Sequence, residues 1–174
     1  LGLFRHGRMD DASYAINVFD SYVKRSGLQG QLKDKIILEL GPGDSVATAI
    51  IAYCYGVRAV LVDAGSFTKL KPQVYSTLIR DLQSIGLRPP AIEHCDSLAS
   101  LLTACGAKYL MNGLESLTEI ADDSVDFIIS QAVLEHVRRS EFLATQRECE
   151  RILRANGICT HEIDLRYHLS GGLN

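Results

Sequence analysis

The chain has 174 residues, 47% of them apolar and 22% charged, with a formal net charge of −3. This size and balance describe one globular domain that buries roughly two-thirds of its unfolded surface. It is too short for two full domains, and its charges are too evenly mixed to form the basic stripe that tracks a phosphate backbone. Cys54, Cys95, Cys105, Cys149 and Cys159 form no C-x-x-C pair, which speaks against a zinc site or disulfide framework and for reduced cytosolic thiols.

Apolar residues Tyr14, Ala15, Val18, Phe19, Tyr22 and Val23 recur at helical spacing, with Asp10, Asp11 and Ser13 as capping candidates and Gly27 as a stop. An amphipathic helix outside the sheet is expected there. The apolar run 35–40 ends in Gly41-Pro42-Gly43, a small-residue helix follows from Ser45 to Tyr55, and the run 59–62 ends on Asp63. Strand, glycine turn, helix and strand make a βαβ unit, which implies a parallel sheet.

The alternation continues with a helix over 72–85, a weak strand at 91–94, a helix over 97–105, and strands at 109–111 and 125–130. A helix over 141–153 is expected to carry Phe142, Leu143, Gln146, Cys149, Ile152 and Leu153 inward, and Asn156-Gly157 turns the chain into a last strand, 158–163. The fold class is therefore α/β, a doubly wound, mostly parallel sheet with helices on both faces. The longest apolar run, 47–55, is far short of the roughly 18 residues of a membrane span, and no leader pattern opens the sequence. A soluble, cytoplasmic protein is the expectation, cut from a longer chain.

In such sheets ligands lie beyond the carboxyl ends of the strands. The turn Gly41-Pro42-Gly43 lets a ligand approach the backbone, and the helix start at Ser45 is expected to offer free N–H groups. Asp63 ends the next strand, where a carboxylate can accept from both hydroxyls of a ribose. These features describe an adenosine-type site. Val46 stands where a G-x-G-x-x-G fingerprint has its third glycine, which counts against a pyrophosphate dinucleotide. Glu39, two residues before the first glycine, needs partners if buried: N–H groups of the turn, or a ligand ammonium.

Glu39-Leu40-Gly41-Pro42-Gly43, the Asp63 strand tip, the block from Val125 to Leu134-Glu135-His136-Val137, and Arg151 to Ile158 resemble, in this order, the class I S-adenosylmethionine-dependent methyltransferases. The resemblance covers about residues 35–163. It implies a Rossmann-like sheet of seven strands, with S-adenosylmethionine across the ends of strands one, two and four and S-adenosylhomocysteine as product. On this resemblance Glu39, Leu40, Gly41, Pro42 and Gly43 surround the methionine portion, Asp63 holds the ribose, and Ala64 packs near the adenine. Gly113-Leu114 offers a backbone N–H to the base, and Gln131 lines the pocket beside the methyl donor. No metal is implied.

His136 is the histidine in the motif blocks that could take a proton from a hydroxyl acceptor; the plainer reading is a residue packing its short helix. His161 could face core or pocket, and His94 reads as loop. Arg5, His6 and Arg8 could meet an anion or simply be solvated.

Two departures stand out. Gly113 occupies a position where an acid is common, leaving backbone or Asn112 to meet the adenine amino group. The last two strands are missing, so 158–163 would be an apolar edge to be covered by a further segment or a second subunit. The organisation expected is an N-terminal segment with covering helix (1–33), the S-adenosylmethionine-binding methyltransferase domain (34–165), and a loop (166–174). The function expected is methyl transfer to a small molecule, a sugar or other hydroxylated metabolite, with nucleic acid disfavoured. A non-catalytic domain that keeps the cofactor fold for binding or assembly is the alternative, and a nicotinamide-dependent oxidoreductase comes third.

Overall fold

Short apolar runs that alternate with amphipathic segments bury both kinds of surface by making a central sheet with helices on each face. The computed structural model describes residues 9–165. Its elements are α1 (Ala12–Arg25), β1 (Ile36–Leu40), α2 (Ala47–Cys54), β2 (Arg58–Val62), α3 (Pro72–Ser84), α4 (Leu98–Ala104), β3 (Lys108–Leu110), α5 (Leu114–Thr118), β4 (Val125–Gln131), α6 (Arg139–Ile152) and β5 (Leu153–Glu162), with a short 3₁₀ turn at Leu134–His136. The five strands are parallel in the order β3-β2-β1-β4-β5. Arg5, His6, Arg8 and the loop 166–174 lie outside the described residues.

Alternate strand residues feed two cores. Ile37, Leu61, Phe127 and Ile129 pack against Phe19 and Tyr22 of α1, Ile50 and Ile51 of α2, and Tyr75, Leu78 and Leu82 of α3. On the other face Leu38, Leu40, Val62 and Ile128 meet Leu117 of α5 and Cys149 and Ile152 of α6. The helix α1 starts at Asp11, whose side chain accepts from the Tyr14 N–H, and ends with its stripe buried against α2 and α3.

The structure corrects several expectations. Residues 91–94 form no strand: they follow Pro89-Pro90, which supply no N–H to a ladder, and the backbone turns instead, Cys95 N–H bonding Ile92 O at 2.9 Å. The α6 residue Leu143 is 67% exposed, because the buried stripe of Thr145, Cys149 and Ile152 lies about 100° or more around the helix from it.

The last strand begins five residues earlier than expected, at Leu153, and absorbs Asn156-Gly157 as a bulge. Val125 pairs with Leu153, but Phe127 already pairs with Ile158. A Cβ at Gly157 would sit 2.7 Å from Leu153 Cγ and 2.8 Å from Arg154 O, so only glycine fits. Beneath the sheet Asp126 ties strands together, accepting from Ile36 N–H at 2.8 Å and from Arg154. Among the described residues no helix is long and apolar enough to cross a membrane.

Candidate functional site

The tips of β1 and β2 are joined through one carboxylate. Asp63, 9% exposed, accepts from Gly43 N–H through Oδ2 at 3.0 Å and from Ala64 N–H through Oδ1 at 2.8 Å. Its own carbonyl takes the Gly113 N–H at 2.8 Å, and the space beside Gly113 is bounded by Ala64 at 3.6 Å. The structure therefore brings Asp63, Ala64 and Gly113 together, and leaves the N–H of Leu114, first residue of α5, as the donor that this pair can offer. At the end of β1, Leu40 and Pro42 are buried. Gly41 has φ +65° and faces Val133: a Cβ there would lie 2.5 Å from Val133 Cγ2. The loop after β4 thus abuts the glycine turn.

The helix start beyond the turn differs from expectation. The Val46 N–H donates to the Tyr75 hydroxyl at 3.1 Å, and the Ala47 N–H to Ser45 Oγ at 3.3 Å. Tyr75, Ser45 and Val46 are all buried. Two N–H groups that a phosphate would need at this helix start, those of Val46 and Ala47, are thus spent inside the protein, and Thr68 holds the turn from outside by donating to Gly43 O at 2.6 Å.

Beneath the turn lies Glu39, 4% exposed, with Oε2 buried and without a hydrogen-bond partner. Burial pushes its pKa up to about 7; a bond from Thr48 opposes the rise and the nearby Asp63 adds to it. The glycine turn does not supply its partner, because the Gly43 N–H goes to Asp63.

The tips of β4 and β5 carry a chain of side-chain bonds. Tyr22 of α1 donates its hydroxyl toward Ser130 O at 2.6 Å and Gln131 Oε1 at 2.8 Å, and Gln131 Nε2 donates to Glu162 Oε1 at 3.0 Å. Arg25 closes the ring, bonding Glu162 Oε2 at 3.0 Å while its guanidinium carbon lies 5.8 Å from the Tyr22 ring centre. The bonds from Gln131 and Arg25 hold the Glu162 carboxyl below its ordinary value. Burial first, then the charges of Glu162 and Glu39, push the Tyr22 hydroxyl well above its own.

His136 is exposed in the 3₁₀ turn, its N–H on Val133 O at 2.9 Å. His161 is half-buried, its Nδ1 2.7 Å from Ser130 Oγ and its Nε2 2.9 Å from Cys159 Sγ. Burial holds its pKa below the ordinary value. His94 is exposed in an irregular segment. Among the described residues no group of three His, Cys, Asp or Glu side chains could hold a metal. Thr68, Lys71, Tyr75 and Tyr22 went unnoticed in the sequence as site residues. Tyr22 sits in the apolar stripe of the first helix, and nothing in local spacing marks a hydroxyl that crosses to another element.

The sequence matches the model of a family described as methyltransferase domain over residues 62–160. Among solved structures, a protein described as a sarcosine dimethylglycine methyltransferase from Galdieria sulphuraria superposes with a TM-score of 0.52 at 18% identity, over 84% of this chain and 45% of its own. An S-adenosylmethionine-dependent methyltransferase from Archaeoglobus fulgidus gives 0.46 at 12% identity, over 82% and 50%. One from Methanosarcina mazei gives 0.46 at 18%, over 83% and 55%. This chain spans about half the length of these structures. No curated protein matches it.

Proposed function

Since the chain belongs to the methyltransferase domain family, we propose that it binds S-adenosylmethionine across the tips of β1, β2 and β4 and passes the methyl group to a small-molecule acceptor, a sugar or other hydroxylated metabolite. One observation carries the reading: the seat holds two buried carboxylates, one of them with an oxygen that has no hydrogen-bond partner. Two carboxylates, Glu39 and Asp63, are turned inward, while the Gly43, Val46 and Ala47 N–H groups are already bonded within the protein. A pyrophosphate, which brings only acceptors, finds little to hold it there. A ligand that brings an ammonium, ribose hydroxyls and a positive sulfur fits the set, and the buried, unpartnered Glu39 Oε2 is the atom such an ammonium would satisfy.

In this reading Asp63 accepts from the ribose hydroxyls, a task that suits a carboxylate, which can accept from several donors at once. Glu39 with Leu40, Gly41, Pro42 and Gly43 surrounds the amino-acid end. Ala64 packs beside the base, and the Leu114 N–H donates to it. The bound cofactor supplies a methyl group on a sulfonium, an activated leaving group, so the residues' task is alignment along one axis. Gln131 is suited to that task because both ends of its amide are fixed, by Tyr22 and Glu162. The His136 imidazole, exposed beside the same rim, is assigned the proton of a hydroxyl acceptor.

Calorimetry with S-adenosylhomocysteine and with NAD tests the cofactor. Binding of the thioether and not of NAD is expected, and the reverse ends the reading. Asp63→Ala is expected to weaken thioether binding by about 1–3 kcal/mol through lost charged hydrogen bonds. Incubating the chain with methyl-labelled cofactor and pooled cell metabolites separates an enzyme from a binder: label is expected in a small molecule, and binding without any transfer favours the assembly domain.

A further inference from the structure

From Asp63 to Lys71 the chain runs between β2 and α3 without regular structure, and this segment grips the glycine turn from outside. Thr68, 4% exposed, holds Gly43 O, and Tyr75, fully buried, holds the Val46 N–H. Between them Lys71, the capping residue of α3, extends its ammonium to three carboxylate oxygens. Asp10 Oδ1 and Oδ2 lie at 2.8 Å each and Asp44 Oδ2 at 2.9 Å. An ammonium has three N–H donors, so these contacts use its full capacity.

The two aspartates belong to different parts of the fold. Asp44 is in the glycine turn, whereas Asp10 precedes the N-cap of α1. A second link, Ser45 Oγ to Met9 O at 3.4 Å, joins the same two segments. Burial alone would lower the Lys71 pKa, but the bonds to Asp10 and Asp44 outweigh it and raise it, so the ammonium stays charged between them. Without that charge two carboxylates would face each other across the joint.

We propose that Lys71 is a positioning residue for the cofactor seat: through Asp44 it sets the glycine turn beyond β1, and through Asp10 it registers the start of the covering helix against that turn. The inference rests on the cofactor reading above. Lys71 touches no part of the ligand in this role, and its effect passes through the backbone of residues 43–46.

The test titrates S-adenosylhomocysteine into the chain and its Lys71→Met, Lys71→Arg and Asp10→Asn variants, with amide hydrogen exchange followed at residues 43–46 in the absence of ligand. Lys71→Met is expected to bind about tenfold more weakly, since two carboxylates lose their shared counter-charge, and to exchange faster at those amides. Lys71→Arg recovers most of the affinity by keeping the charge, and Asp10→Asn falls between. Should Lys71→Met not fold, Asp44→Asn, which leaves the Lys71–Asp10 pair intact, takes its place with the same expected loss. Equal affinity in the wild-type chain and Lys71→Met overturns the inference alone, as does a loss that matches only the fraction unfolded. A wild-type chain that leaves S-adenosylhomocysteine unbound overturns the cofactor reading and the inference with it.

Discussion

The tips of β1 and β2 and the tips of β4 and β5 are built differently. At β1 and β2 the polar groups are buried and their bonds run mostly to backbone: Asp63 to Gly43 and Ala64, Thr68 to Gly43, Tyr75 to Val46. At β4 and β5 the outer links are side chain to side chain and half in water, the Arg25 and Glu162 side chains being 51% and 48% exposed. Backbone-anchored, buried bonds fix atoms closely and cost dearly when broken; exposed charged pairs hold a shape loosely. A site that must recognise one invariant cofactor and one variable acceptor would place the first kind under the cofactor and the second toward the acceptor. Mutations on the two sides should therefore differ in size, and each below can break that contrast or sharpen it.

The largest effect is expected at Gly41. Alanine there must adopt φ +65° with its Cβ 2.5 Å from Val133 Cγ2. The left-handed backbone and the overpacking together cost about 3–4 kcal/mol in urea unfolding. Adding Val133→Ala should return the packing part and leave the backbone part; no recovery would mean that the two loops are not in contact.

Glu39 comes next, with the opposite sign. Its folded pKa of about 7 lies above the ordinary 4.5, so below pH 4.5 the carboxyl is protonated in both states and has no effect. As pH rises toward 7 the unfolded chain ionises first, and the folded state loses stability until both are charged. Glu39→Gln is thus expected to stabilise the ligand-free chain by about 3 kcal/mol at pH 8, to change little at pH 4, and to weaken S-adenosylhomocysteine binding. A variant that is less stable at pH 8 would show that Glu39 Oε2 has a partner and that the buried side is already satisfied.

Only the β1 and β2 side of this contrast was legible in the chain before folding. The glycine turn, Asp63 and Glu39 could be read because backbone geometry forces those residue types at fixed offsets from a strand end. The covering helix was read from its apolar spacing and its Asp11 cap. What escaped were the cross-element bonds. Nothing in the spacing around Tyr75 shows that its hydroxyl meets Val46, and Lys71 belongs to no periodic pattern. The strand expected at 91–94 failed because only Ala91 and Ile92 are apolar there, and after Pro89-Pro90 the backbone closes a turn, Cys95 N–H on Ile92 O, in place of a ladder. At the helix start near Ser45, sequence shows which N–H groups a helix leaves over, but not that the Tyr75 hydroxyl takes the one on Val46.

On the β4 and β5 side the effects shrink. Tyr22→Phe removes the donor to Ser130 O and Gln131 Oε1 and should cost about 1–2 kcal/mol, its ring staying packed. Arg25→Ala is expected to cost less than about 1 kcal/mol, as exposed ion pairs do, and less still in high salt. Its useful readout is elsewhere. With Arg25 gone, Glu162 keeps only the Gln131 bond among those that hold its carboxyl down, so its pKa, followed by carboxylate NMR, should rise toward the ordinary range. Gln131 would then be tethered to a carboxylate that is itself less constrained. If the contrast between the two sides holds, this loosening leaves S-adenosylhomocysteine affinity unchanged and alters only which acceptors are methylated. If affinity drops as far as it does in Asp63→Ala, the Arg25–Glu162–Gln131 chain belongs to the cofactor seat, and the division between a fixed side and an adaptable side is wrong.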